Sequence, residues 1–244
     1  MAGHSKWANI KRKKSKIDAQ RGKLFTRLSR EIIVAARNGG PDPDGNMRLK
    51  TAIQKAKEAN IPSENINRAI QKGAGEVEGV SYEEFVYEGY GPGGVAVLLE
   101  IMTDNRNRTA GEIRHIFSRN GGSLGETGCV AWMFEQKGLL IVEKADNSIN
   151  EDDLMLIALE AGVEDFKVED DSYEITTAPA DFHKVKEELE NKGVDLAMAE
   201  ITMVPQTTIS LSGSDADMMV RLLETLEEHD DVQNVYANFE LDEQ

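Results

Sequence analysis

The sequence lacks several features that would place it among secreted, membrane or metal-cluster proteins. Its 244 residues include one cysteine, Cys129, which excludes an internal disulfide and any zinc or iron–sulfur site built from a cysteine cluster. No stretch approaches the ~20 apolar residues of a membrane-spanning helix, and the N-terminus has no apolar run of the kind found in secretory signals. We therefore expect a protein of the cytoplasm that does not bind membranes.

Positive charge is scarce in most of the chain and concentrated in one part of it. Residues 1–73 hold 17 Lys and Arg against 6 Asp and Glu, a net charge of +11. Because the whole chain has 28 basic and 44 acidic residues, residues 74–244 hold 11 and 38, a net charge of −27. The total of −16 conceals this split. The asymmetry is typical of a basic module that faces nucleic acid, joined to an acidic body.

Signatures of catalysis are also missing. Residues 89–94 match the Gly-x-Gly-x-x-Gly dinucleotide motif, but a strand is predicted after them and Pro92 interrupts them, so a turn is favoured. Residues 121–125 match the Gly-x-Ser-x-Gly elbow, but they follow a helix and precede a strand, which is the reverse of the order that an elbow needs. No Walker A or His-Glu-x-x-His motif occurs. We expect no enzyme, no cofactor, no bound metal and no small-molecule substrate.

The basic part has the pattern of three short helices. Apolar residues recur at helical spacing from about Ile17 to the Asn38-Gly39-Gly40 stop, and two further helices follow, the last one starting at Pro62. At 100° per residue, four cations of the first helix share an arc of roughly 80° beside its apolar stripe. These are Lys23, Arg27, Arg30 and Arg37. We predict a helical domain over residues 1–78.

The acidic body has the pattern of an α+β protein in which one domain is inserted into another. Residues 135–204 give the order βαββαβ, the ferredoxin-like arrangement. Residues 79–134 give ββαβ, with the last strand at 129–134, and residues 205–244 add βαβ, which together would close a second similar sheet. The predicted fold class is therefore multidomain α+β, with a three-helix basic domain and two ferredoxin-like domains.

The first residues form a basic arm with almost no apolar face. Such an arm cannot offset its ordering entropy by burial, so we expect it to order on a phosphate-rich surface. Trp7 could stack on an exposed base or pack against the bundle, and the sequence favours neither alternative. The candidate nucleic-acid contacts are His4, Lys6, Trp7, Lys11, Arg12, Lys13, Lys14 and Lys16 in the arm and Arg21, Lys23, Arg27 and Arg30 in the first helix.

The segment from Thr103 to Thr109 joins a strand to a helix and carries two arginines out of an acidic surrounding. Asp104 or Asn105 is suited to cap the helix, in which case Arg106 and Arg108 would form internal salt bridges. Alternatively, the two arginines form a secondary contact with a phosphate group or a partner.

Five stretches of sequence resemble the YebC/PmpR family, and together they extend over essentially the whole chain. The stretches are residues 1–11, 21–25, 65–70, 87–94 and 103–109. The resemblance implies a helical N-terminal domain and two α+β domains around a cleft. It also implies transcriptional regulation by DNA binding, with residues 3–16 and the basic face of the first helix as the nucleic-acid contacts.

The kind of nucleic acid stays open at this point. Mitochondrial relatives in the family are translational activators, and bacterial members resemble ribosome-associated factors that relieve stalling on proline-rich stretches. A −27 body would be repelled by a long duplex, which favours ribosomal or transfer RNA, whereas the family's naming favours DNA. The missing set of base-reading side chains predicts recognition of backbone and shape in either case.

Overall fold

The computed structural model describes residues 21–79, 81–145 and 149–241 of the chain. Its helices are α1 (Arg21–Gly39), α2 (Met47–Glu58), α3 (Ser63–Ala74), α4 (Arg106–Arg119), α5 (Glu151–Ala161), α6 (Phe182–Asn191) and α7 (Gly213–Glu227). Its strands are β1 (Glu83–Tyr90), β2 (Ala96–Thr103), β3 (Ser123–Leu124), β4 (Phe134–Glu143), β5 (Asp165–Val168), β6 (Ser172–Thr177), β7 (Met198–Pro205), β8 (Ile209–Leu211), β9 (Val232–Ala237) and β10 (Phe239–Leu241). The predicted α+β class, with a helical part preceding the sheets, is confirmed.

The helices α1, α2 and α3 form a bundle around small and aliphatic side chains. Ile32, Leu49 and Ala56 are almost completely buried in its core. The first and third helices approach closely at Gly73, where an added Cβ would overlap the carbonyl oxygen of Ile33 and lie 2.7 Å from the Cβ of Ala36. A glycine is needed at this crossing because the two backbones leave no room for a side chain.

The first sheet has the antiparallel order β3-β1-β2-β9. The strand β2 is its centre and is buried on both faces, because alternate residues face two different clusters. On one face Val97 and Leu99 pack with side chains of α4 and α7, and on the other Ala96 and Leu98 pack with Val130 and its neighbours. This sheet brings the ends of β2 and α7 to the same edge.

The second sheet consists of strands that lie between β3 and β8 in the chain. Its order is β5-β6-β4-β7, with every neighbouring pair antiparallel, and this is the order of a ferredoxin-like βαββαβ unit. Side chains of α5 and α6, including Leu154, Val185 and Leu189, fill the core beneath it. The strand β4 is the centre of the second sheet.

Three predicted strands differ from those in the structure. The strand predicted at 129–134 is wrong, because residues 131–133 form a 3₁₀ turn and β4 begins only at Phe134. The tail contributes only β9 to the first sheet, since β8 pairs in parallel with β10. The strand predicted over 232–241 is interrupted at Asn238, whose backbone and side chain bond both the carbonyl and the amide of Ala96.

None of the helices that the structure describes is both long enough and apolar enough to cross a membrane.

Candidate nucleic-acid interface

The predicted contact residues divide between two regions of the chain. The eight arm residues His4, Lys6, Trp7, Lys11, Arg12, Lys13, Lys14 and Lys16 lie outside the described residues. Arg21 is the first residue of α1, described for its backbone alone. The side chains of Lys23, Arg27 and Arg30 are described, and all three point toward the first sheet rather than toward an open surface.

The three cations of α1 bind the end of α7 and the loop that follows it. Lys23 Nζ donates to the carbonyl oxygen of Glu228 at 2.6 Å, and the Arg27 guanidinium donates to that of Glu227. Arg30 Nη1 donates to the carbonyl oxygen of Asp230 at 2.7 Å. The last carbonyls of a helix lack partners within the helix and carry the negative end of its dipole, so cations stabilise them. The basic face of α1 thus acts as a cap for α7.

Arg30 also reaches a buried carboxylate that joins several elements. Its Nη1 lies 2.9 Å from Asp231 Oδ1, while Asp231 Oδ2 accepts from Arg108 Nη2 at 2.8 Å and from the hydroxyls of Thr103 at 2.9 Å and Thr109 at 2.7 Å. Asp231 is 3% exposed. Burial by itself would raise the pKa of Asp231, but the bonds from Arg108, Thr109, Thr103 and Arg30 outweigh it and lower the pKa to about 2. The carboxylate therefore stays ionised.

This docking leaves part of each guanidinium without a hydrogen bond. The Nε atoms of Arg27 and Arg30 are buried without a hydrogen-bond partner, and burial lowers the pKa of Arg27 from its ordinary value. Arg30 also lies over the ring of Tyr82 at 5.1 Å. Since unsatisfied donors cost free energy, the contact between α1 and the first sheet has lost part of its possible stabilisation.

The segment from Thr103 to Thr109 serves mainly to connect elements of the protein itself. Asn105 caps α4 by accepting from the Arg108 amide at 3.1 Å, and the Arg108 guanidinium pairs with Asp104 at 2.9 Å as well as with Asp231. Arg106 is exposed and lies over the ring of Phe85 at 5.0 Å. Capping and internal ion pairs account for Arg108, and the exposed Arg106 keeps a surface position.

One group of side chains near this junction is spaced closely enough to suggest a metal. Ligand atoms of Glu112, His229 and Asp231 all lie within 4.8 Å of one another. His229 Nδ1 accepts from the Asp231 amide at 3.1 Å, which leaves Nε2–H to donate to Glu112 Oε2 at 2.8 Å. Asp231 already accepts four bonds. Hydrogen bonding within the protein therefore accounts for all three groups.

The glycine-rich stretch at 89–94 is a turn and packing element. An added Cβ would lie 2.6 Å from the Ser123 carbonyl oxygen at Gly89 and 2.5 Å from the sulfur of Met219 at Gly91. Gly93 has a φ of 68°, within a 3₁₀ turn before β2. Ser123 itself lies on β3, after α4. The geometry places neither a dinucleotide loop nor a nucleophile elbow here.

Other cations of the bundle remain at its outer surface. The side chains of Lys55, Lys57 and Arg68 are exposed on α2 and α3. Arg48 is also exposed, but it pairs with Glu31 of α1 and with Glu84 of β1. A positive surface therefore faces outward on the second and third helices, while Lys23, Arg27 and Arg30 of the first helix face the end of α7.

Comparison with known proteins assigns both parts of the chain. Residues 5–76 match the family model described as the TACO1/YebC protein N-terminal domain, and residues 82–239 match the one described as the TACO1/YebC second and third domain. The chain belongs to the TACO1/YebC family. The two TACO1/YebC models meet between α3 and β1, close to the point where the charge of the chain changes sign.

Relatives within the TACO1/YebC family match over the full length. A protein of Pelotomaculum thermopropionicum is 71% identical over 243 residues, covering 100% of both chains, and one of Desulforamulus reducens is 64% identical over 240 residues, covering 98% and 99%. Both are named probable transcriptional regulatory protein. The crystal structure of the conserved hypothetical protein Aq1575 from Aquifex aeolicus has a TM-score of 0.81 at 51% identity and covers 94% of each chain.

Asp231 ties the first helix of the TACO1/YebC N-terminal domain to the sheet, a role that no pattern in the sequence predicted. Asp230 precedes it and is exposed, so nothing in the sequence distinguishes the buried carboxylate from its neighbour. The available signal was the pair of threonines, Thr103 and Thr109, which bracket the arginine-rich segment and both bond Asp231.

Proposed function

We propose that this protein regulates gene expression by binding DNA through its basic N-terminal part, residues 1–78, and that it does so without catalysing a reaction. The observation that carries the proposal is the net charge of +11 in residues 1–73 beside −27 in the rest. Neutralising phosphates releases condensed counterions, which is the main source of affinity for such a segment. The names of the two bacterial relatives, probable transcriptional regulatory protein, support the regulatory part of the proposal.

The arm is the principal contact in this proposal. Lys11, Arg12, Lys13 and Lys14 are consecutive cations, and Arg21 continues the positive charge to the start of α1. Lys23, Arg27 and Arg30 would reach phosphate only after leaving the end of α7, because each of them is docked on its carbonyl oxygens in the described structure. The outer cations of α2 and α3 offer a second positive surface. Arg106, exposed on α4, is the candidate for a secondary contact; Arg108 is held by its ion pairs.

A second candidate is a translation factor that binds ribosomal or transfer RNA and relieves stalling on proline-rich sequences. The observation that favours it is the attachment of the acidic body to α1 through Arg30 and Asp231. A long straight duplex lying across the bundle would meet this negative surface, whereas a folded RNA could enclose the bundle alone. Like charges that lie closer together than the Debye length, about 8 Å at physiological salt, are only partly screened.

The proposal is tested by reversing the charge of the arm. The variant K11E/R12E/K13E/K14E should lose at least about a hundredfold in affinity for a fluorescent DNA duplex at low salt. The matched control reverses four lysines of the second-sheet unit, which comprises residues 134–205. This variant, K167E/K184E/K186E/K192E, should change the affinity for DNA far less. For the unchanged protein, log K should fall with log salt by about 0.7 to 0.9 per phosphate neutralised. Equal affinity of the arm variant and the unchanged protein would refute the proposal.

The choice between DNA and RNA needs a measurement in cells. Crosslinking followed by sequencing of both nucleic acids separates the two, since a transcriptional regulator enriches promoter DNA and a translation factor enriches ribosomal or transfer RNA. The arm variant serves as the background sample. Enrichment of RNA alone would replace the DNA proposal with the second candidate.

A further inference from the structure

The outward face of α5 carries two leucines in a position where soluble proteins normally place polar residues. Leu156 is 57% exposed and Leu159 is 59% exposed, although Leu154 and Ala158 on the opposite face are completely buried. The exposed leucines are therefore additional to the core of the second-sheet unit. Three residues apart on a helix, they lie side by side and form one apolar patch.

Carboxylates surround this patch on the same face. At helical spacing the neighbours of Leu156 are the residues three and four positions away, and besides Leu159 these are Asp152, Asp153 and Glu160. The sequence of α5 contains no lysine or arginine. Asp153 also bonds the capping residue Asn150, which holds it at the start of the helix. The face is thus apolar at its centre and negative at its rim.

The net charge of the second-sheet unit, residues 134–205, also favours a positively charged partner. Residues 134–205 include 19 acidic and 6 basic residues, a net charge of −13. Nucleic acid and anionic lipid would both be repelled, and a second copy of the chain that docked through the same face would bring a second negative surface against the first. A complementary partner must supply apolar side chains flanked by cations.

We propose that the outward face of α5, defined by Asp152, Leu156, Leu159 and Glu160, binds a basic amphipathic helix of a partner protein. Apolar side chains of that helix cover the two leucines, and its lysines or arginines meet the carboxylates. The site lies on a different unit from the basic bundle. An assembly of nucleic acid with basic proteins would therefore engage the basic bundle and the α5 face at once, but binding at α5 does not depend on the nucleic-acid proposal.

The test uses a defined peptide as the partner. An amphipathic helical peptide of about 18 residues, built from leucine and lysine, is titrated against the full chain, with a leucine and glutamate peptide of the same pattern as the negative control. The variant L156S/L159S should weaken binding of the lysine peptide at least about tenfold, and L156M/L159M should restore it. The matched control M47S/V86T removes two exposed apolar residues elsewhere and should leave binding unchanged.

Each alternative occupant has a result that overturns the proposal. Equal binding by L156S/L159S and the unchanged protein would mean that charge alone attracts the peptide. Self-association that disappears in L156S/L159S would identify a second copy as the occupant, and a loss of DNA or RNA affinity in that variant would identify nucleic acid. Because the leucines are exposed, thermal unfolding of L156S/L159S should match that of the unchanged protein, which verifies that the variant is folded. The arm variant K11E/R12E/K13E/K14E should keep full peptide affinity, so failure of either proposal can be recognised separately.

Discussion

Arg30 Nη1 lies 2.9 Å from Asp231 Oδ1, and this ion pair joins the first described helix to a loop 201 residues later in the chain. The side chain of Asp231 is 4% exposed and that of Arg30 is 15% exposed. Three further donors share the same carboxylate. The pair is therefore one bond of a network rather than an isolated surface contact, and it positions the basic bundle on the acidic body.

Removing the charge of this carboxylate should destabilise the protein. The variant Asp231→Asn removes the negative charge that Arg30 and Arg108 share and puts an NH2 donor in place of one acceptor oxygen, and we expect a loss of about 2 to 3 kcal/mol in the free energy of unfolding. Urea denaturation followed by circular dichroism measures it. Asp230→Asn is the control, because Arg30 binds only the main-chain carbonyl of Asp230, and the side chain of Asp230 is exposed. Equal stability of the two variants would contradict the network.

The same carboxylate predicts how stability changes with acid. The pKa of Asp231 is about 2 in the folded protein against an ordinary value of 3.8, so the folded state binds its proton less readily than the unfolded state. A depressed pKa contributes stability above the unfolded value, and that contribution is lost as pH falls through the folded value. We expect about 2 kcal/mol to disappear between pH 5 and pH 2, and Asp231→Asn to lack this part of the dependence. Parallel pH profiles for the two proteins would contradict it.

The docked arginines should contribute more to domain attachment than to nucleic-acid affinity. Replacing both with methionine, R27M/R30M, removes the cap on α7 and should increase the radius of gyration measured by small-angle X-ray scattering. Affinity for DNA or RNA should change less than about threefold, since the arm carries the proposed contacts. The control K55M/K57M replaces two exposed cations and should have the same radius of gyration as the unchanged protein. A hundredfold loss of affinity with an unchanged radius would instead show that this face binds nucleic acid directly.

Glu88 should determine the rigidity of the loop that joins the two sheets. It is 4% exposed, and its carboxylate accepts from the amides of Gly128 at 2.6 Å, Val130 at 2.8 Å and Ala131 at 2.7 Å. In Glu88→Gln an NH2 group replaces one carboxylate oxygen and cannot accept, so we expect about 2 kcal/mol of destabilisation and faster hydrogen exchange at the amides that lose their acceptor. The exposed Glu126→Gln is the control. Unchanged exchange in Glu88→Gln would rule out this role.

Gly73 should tolerate no side chain. In Gly73→Ala the new methyl group would overlap the Ile33 carbonyl of α1, and we expect about 1 to 3 kcal/mol of destabilisation from the forced separation of the helices. Gly111→Ala is the matched control, because it lies within α4 with no atom within 4 Å of an added Cβ. That change should stabilise by about 0.5 to 1 kcal/mol. Thermal unfolding of both variants measures these changes in stability. Unchanged stability of Gly73→Ala would contradict the close approach of α1 and α3.

Periodic patterns predicted the helices well, because the apolar spacing of each helix is local information. The stripe of apolar residues that continues through Ile32 predicted α1, and the run of apolar residues from Val95 to Ile101 predicted the central strand β2. The shortest strands were harder to predict. The strand β8 has three residues and pairs with β10 outside both larger sheets, and such pairing depends on tertiary position rather than on alternation of side chains.

The role of the α1 cations could not be predicted for a different reason. Phosphate oxygens and the carbonyl oxygens at a helix end attract a guanidinium by the same electrostatic interaction. Arg27 and Arg30 each donate to a main-chain carbonyl, at positions 227 and 230, and a main-chain carbonyl has no residue type that a sequence pattern could reveal. Only the fold decides that these cations face the protein.

The distance in sequence between Arg30 and Asp231 also has a consequence during synthesis. The bundle is complete by residue 74, but the end of α7 and the Asp231 carboxylate leave the ribosome more than 150 residues later. At 5 to 20 residues per second, roughly 10 to 40 seconds pass between the synthesis of Arg30 and that of its acceptor. For that interval Lys23, Arg27 and Arg30 belong to a nascent chain whose later partner does not yet exist.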